Sequence, residues 1–138
     1  MEKIIFDVKL MKLISMFESL SGAHVKDCLD MDNYIMFIVD NGQMGKAIGK
    51  SGSNIKRIEN ALKKNVKVVE FNEDINEFVK SLLYPTVPEE VQLEGGVLTI
   101  TGKDARTRGI IIGRDRSKLK FIKQIIGRYF SIEDIKVV

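Results

Sequence analysis

The chain has 138 residues, 44% of them hydrophobic and 30% charged, with a formal net charge of +3. That balance excludes a disordered chain and leaves room for one domain or two small ones. A single cysteine, Cys28, and a single histidine, His24, exclude an intrachain disulfide and a zinc site of the usual kind.

The opening residues, MEKIIFDVKL, interleave charged with apolar side chains, unlike a secretion signal. No apolar run approaches the length of a membrane span, so a cytoplasmic protein with no membrane partner is expected. From about 7 to 21, Leu10, Met11, Ile14, Phe17 and Leu20 recur at helical spacing and predict an amphipathic helix. Strands are expected over 23–30 and 34–39, parted by a turn at Asp32-Asn33. His24, with no nucleophile or second ligand near it, reads as a solvated or hydrogen-bonded residue. Cys28 and the methionines at 11, 16, 31, 36 and 44 read as core. A short helix over 43–48, a glycine loop and a longer helix presenting Ile55, Ile58 and Leu62 come next, closed by a strand over 66–71.

The same series then runs again. A helix over 74–83 carries Ile75, Phe78, Val79 and Leu82 on one side. Strands over 89–94 and 97–102 flank Gly95-Gly96, and a helix over 104–112 leads to a second loop. A longer helix presenting Leu119, Ile122 and Ile126 and a strand over 132–138 complete the chain. The acids at 73–74 and 89–90 stand where elements begin, and capping or solvation accounts for them. The order is α-β-β-α-α-β, twice, which sets the class as α/β (α+β), with domains expected over 1–72 and 73–138.

Sliding the sequence on itself by 64 residues makes the repeat explicit. Gly45 falls on Gly109, Ile48 on Ile112, Gly49 on Gly113, Ser53 on Ser117, Lys56 on Lys120 and Ile58 on Ile122. Charge follows the same division. Residues 43–67 hold seven Lys/Arg against one acid, Glu59, and residues 103–128 hold nine against two, Asp104 and Asp115. Those windows together carry +13, which leaves −10 for the rest of a chain whose net charge is +3. Two concentrated positive segments on an otherwise acidic chain are an electrostatic footprint for a polyanion.

A glycine loop opening a helix suits a phosphate group, because backbone amides there present donors and a favourable dipole. A nucleotide-binding P-loop does not fit. It needs four residues between its first glycine and the Gly-Lys-Ser, whereas three separate Gly45 from Gly49-Lys50-Ser51. It also joins a strand to a helix, and this loop joins two helices.

Ile48-Gly49-Lys50-Ser51-Gly52, followed by Ile55 and Ile58, resembles the KH domain, whose GXXG loop clamps about four nucleotides of a single strand. The helix-first order resembles the type II arrangement, a three-stranded mixed sheet covered by helices, with the third strand parallel to the first. Two such units joined near Asn72-Glu73 are similar to the tandem KH pair of the NusA family of transcription factors, in length the short archaeal members. The resemblance implies single-stranded RNA as ligand, transcription termination or antitermination as setting, and RNA polymerase as a further partner. Bacterial members carry a polymerase-binding region and an S1 domain ahead of the KH pair, and neither is expected in this sequence.

Under that resemblance Gly49, Lys50, Ser51 and Gly52 hold the phosphates, supported by Lys46, Lys56 and Arg57, with Ile48 and Ile55 as the apolar floor. The second loop, Gly113-Arg114-Asp115-Arg116, has arginine in place of the closing glycine. If that position requires positive φ, arginine there costs roughly 1 kcal/mol or more. Arg114, Arg116, Lys118 and Lys120 are then expected to replace amide contacts by side-chain charge; the bland reading is a unit kept for packing. A ribosome-associated or RNA-processing KH protein and a protein-docking KH scaffold are the alternatives. No cofactor, metal, small-molecule substrate or catalytic constellation is expected.

Overall fold

The computed structural model describes residues 8–31 and 33–138; the opening stretch 1–7 and Asp32 of the first turn lie outside them. By its contacts the chain divides after Phe71 into two units.

In the first unit, α1 (Val8–Ser21) is followed by β1 (Val25–Asp30) and β2 (Tyr34–Val39), then α2 (Met44–Ile48), a single 3-10 turn (Lys50–Gly52), α3 (Ser53–Leu62) and β3 (Asn65–Glu70). Helix α1 buries Phe17 completely, its ring 4.2 Å from that of Phe37 on β2. Leu10, Leu13, Ile14, Met16 and Leu20 pack around it. Met11 does not: it is 55% exposed, because the buried stripe of α1 is centred on Phe17 and Met11 falls outside its arc. Cys28, Ile35, Val39, Ala47 and Ile58 complete this core, where each fully buried large aliphatic or aromatic side chain contributes about 1.5–3 kcal/mol.

β1 and β2 pair antiparallel, with a register break between Val25 and Asp27, and β3 pairs parallel with β2. The sheet order is β1-β2-β3. The third strand is therefore parallel to the second and antiparallel to the first, which corrects the expectation that it would follow the first. The connection from β2 to β3 runs through two helices, and a crossover of that kind joins parallel neighbours.

The second unit repeats the plan with α4 (Ile75–Leu83), β4 (Glu90–Glu94), β5 (Val97–Thr101), α5 (Ala105–Ile112), a 3-10 turn (Arg114–Arg116), α6 (Ser117–Gly127) and β6 (Asp134–Val137). Its sheet is β4-β5-β6, antiparallel then parallel. Asp74 caps α4 by accepting the Asn76 amide at 2.9 Å, and Ile75, Phe78, Val79 and Leu82 are buried. Gly95 and Gly96, both at positive φ, form the two-residue turn between β4 and β5. Helix α5 has eight residues where α2 has five, so the copies are not uniform in length. Asp104 starts α5 by accepting the Thr107 amide at 2.8 Å; Gln43, which starts α2, makes no such bond.

Candidate nucleic-acid interface

The first loop is a tight turn between two helices. Gly49 adopts φ 76°, ψ 170°, Ser51 φ 55°, ψ 30°, and Gly52 φ 74°, ψ 15°. The Gly49 amide closes α2 on the Gly45 carbonyl at 2.9 Å, and the Gly52 amide returns to Gly49 at 3.1 Å. The Ser53 amide likewise returns to the Lys50 carbonyl, so the amides of Lys50 and Ser51 are the ones this turn could offer an anion as a backbone nest.

The two glycines of this turn do different work. The conformation of Gly49 is one that essentially only glycine adopts. A Cβ on it would also lie 2.7 Å from Asn54 Cγ and 2.9 Å from the Asn54 amide nitrogen. Asn54 is fixed there because its Nδ2 donates to the Lys46 carbonyl at 2.7 Å. Gly52 by contrast is merely left-handed, and a Cβ on it would meet nothing within 4 Å. The space over Gly52 is open.

Around this turn stand the expected side chains. Lys46, Lys50, Ser51 and Lys56 are exposed, while Ile48 and Ile55 are half-buried and line the turn on either side. Arg57 is exposed as expected, but its Nη1 also reaches the Leu20 carbonyl at 3.4 Å, tying α3 to the end of α1. Glu59, the lone acid of residues 43–67, accepts the Val66 amide at 2.9 Å.

The second loop has almost the same backbone. Gly113 repeats φ 76°, ψ 170°, and Asp115 repeats φ 55°, ψ 30°. Arg116, in place of the closing glycine, sits at φ 62°, ψ 19°. Its amide returns to the Gly113 carbonyl at 3.2 Å, as in the first turn. The amide geometry is thus retained rather than replaced, and the position does require positive φ. Arg114, Arg116 and Lys120 are exposed. Lys118 is not a fully exposed charge: it takes the place of Asn54, and its Cβ and amide lie where a Cβ on Gly113 would clash, at 2.7 and 2.9 Å.

Two glycines missing from the expected site share one property. Gly45 on α2 and Gly109 on α5 are exposed, lack positive φ, and would meet nothing within 4 Å if given a Cβ. Glycine inside a helix costs up to about 1 kcal/mol relative to alanine, and no internal contact accounts for either. Their recurrence in both halves of the repeat was the readable signal.

Electrostatics distinguish the units further. Asp104 is held below its ordinary 3.8 by the hydrogen bonds from the Thr107 amide and hydroxyl, then by the charges of Lys103 and Arg108. Asp134 is lowered by the Ile135 amide, then by Lys123, whose Nζ lies 3.3 Å away, and also by the charge of Arg116. Burial raises Tyr34. His24, exposed just before β1, pairs through Nδ1 with Asp40, as a hydrogen-bonded surface histidine does. No helix among the described residues is long and apolar enough to cross a membrane.

The KH-domain sequence profile matches residues 13–94. The chain is 34% identical over 128 residues to a probable transcription termination protein NusA of Methanococcus vannielii, covering 91% of this chain and 74% of that one. It is 32% identical over 126 residues to the protein of the same name in Halococcus morrhuae, covering 90% and 91%. It is also similar to the crystal structure of APE1850, with a TM-score of 0.72 and 27% identity over 96% of this chain and 100% of that one.

Proposed function

The chain belongs to the KH-domain family as an archaeal NusA-like, RNA-binding member, and from that premise we propose that its first loop clamps single-stranded RNA during transcription termination or antitermination. The observation that carries this reading is the 49–52 turn: a tight left-handed turn with open space over Gly52 and with Lys46, Lys50, Ser51 and Lys56 exposed around it. A phosphodiester needs close approach, donors and positive charge, and this turn supplies all three. Ile48 and Ile55 offer apolar surface to unstacked bases, and the bare side of α2 at Gly45 leaves room for the strand beside it.

In this reading residues 1–72 and 73–138 are each one KH domain. Arg57 supports the first loop; Gly113 shapes the second, where Arg114, Arg116, Lys118 and Lys120 add contacts by charge. RNA polymerase is the second partner, named by the setting in which the NusA relatives are placed.

Titration of single-stranded RNA against salt tests the ligand. Log affinity should fall with log salt by about 0.7 per phosphate neutralised, a slope of about −2 to −4 for three to six contacts. A flat titration would sink the proposal. Copurification with and without nuclease then tests the partner: polymerase lost with the RNA supports recruitment through RNA, whereas nuclease-resistant polymerase supports docking on the KH scaffold.

A further inference from the structure

The second loop keeps the shape of the first and reverses one charge inside it. Asp115 occupies the place of Ser51, at the same φ 55° and ψ 30°, and its side chain is exposed. Its Cβ therefore leaves the backbone in the same direction as that of Ser51. A phosphate entering the second nest meets a negative charge where the first nest offers a neutral hydroxyl. Arg114 and Arg116 flank it, both exposed. In the first unit Glu59, the lone acid of residues 43–67, is engaged with the Val66 amide.

We propose that Asp115 is a specificity-determining restraint: it keeps the second nest from clamping an RNA phosphate, so that the chain holds RNA tightly at one loop and only loosely, through arginine side chains, at the other. The inference rests on the RNA reading of the first loop. It assigns to Asp115 a role opposite in sign to that of every basic residue around it. Removing a contact residue weakens binding, and removing a restraint strengthens it.

The test is Asp115→Asn, which keeps the shape of the side chain, removes the charge and suits the left-handed conformation. Asp115→Ser, which copies the first loop, serves as a second variant. Both are compared with the unmodified chain and, separately, in a Lys50→Asp/Ser51→Asp background that silences the first loop. The readout is fluorescence anisotropy of a labelled single-stranded RNA across a salt series, with thermal melts to confirm folding. Binding at least threefold tighter in the silenced background, with a salt slope steeper by about 0.7 for each phosphate gained, is the expected result. Unchanged or weaker binding by both variants overturns the restraint. Should the silenced background bind as well as the unmodified chain, the first-loop reading fails instead, and the Asp115 variants are then judged on the unmodified chain alone.

Discussion

The loops at 49–52 and 113–116 have nearly the same backbone dihedral angles but share only their first residue, glycine. The comparison separates two roles that a GXXG pattern merges. Its first glycine is obligatory in both loops, because φ 76°, ψ 170° is closed to other residues and the next helix leaves no space for a Cβ. Its last glycine only relieves left-handed strain, with no neighbour in reach, so arginine can replace it at a cost of roughly 1 kcal/mol. The turn survives that replacement because its hydrogen bonds to Gly113 and from Gly113 to Gly109 are backbone bonds. What changes is the charge displayed on a constant shape.

The sharpest way to break the comparison is to treat the two glycines alike. Gly49→Ala should destabilise the first unit by about 3 kcal/mol, at the upper end of the cost of a strained backbone, whereas Gly52→Ala should cost only about 1 kcal/mol. Urea unfolding of the two variants decides this, and equal losses would show that the glycines are not distinct. Next in size is an exchange of loops. Giving the first loop the second's residues, Lys50→Arg with Ser51→Asp and Gly52→Arg, should lower single-stranded RNA affinity at least tenfold, about 1.4 kcal/mol. Retained affinity in an anisotropy titration would mean that shape rather than charge makes the site.

Smaller effects bear on Arg116. Arg116→Gly should stabilise the second unit by about 1 kcal/mol by releasing the left-handed strain, while Arg116→Ala, which keeps a Cβ, should not. Both variants should weaken RNA binding by on the order of 1 kcal/mol or less, the worth of one exposed charge-assisted contact. Chemical denaturation and RNA titration of the pair read the two terms separately.

The smallest effect is in acid. Asp104 is depressed below 3.8 in the folded chain by its bonds from Thr107, so its stabilisation is complete above that value and is lost as pH falls through the depressed one. At the matching position of the first unit, Gln43 makes no capping bond to α2. Asp104→Asn, which keeps a capping oxygen but not the charge, should lower stability slightly at neutral pH and correspondingly flatten its loss below about pH 4. A melt series in which both proteins track each other through that window would remove the assignment.

Most of the element order was readable because its signals are local. Helical spacing placed α1 and α4 to within a few residues, Gly95-Gly96 marked the second hairpin turn, and the 64-residue shift exposed the repeat. The loop's glycines and lysines were readable for the same reason: the chemistry of a phosphate site lies within one short segment. Met11 was misplaced because several apolar residues of α1 compete for one buried arc, and only the position of Phe37 decides which of them win. The direction of β3 was misread because strand pairing joins residues some thirty apart, as in Tyr34 with Asn65. Lys118 reads as a free charge until the turn folds and brings its Cβ against Gly113. The sequence alone therefore determined which segments become helix, strand and loop, and which of them carry positive charge. The tertiary structure decided which strand lies beside which, which apolar residues reach the core, and that Arg116 adopts a glycine's conformation, because each depends on contacts or backbone bonds that exist only once the chain has closed on itself.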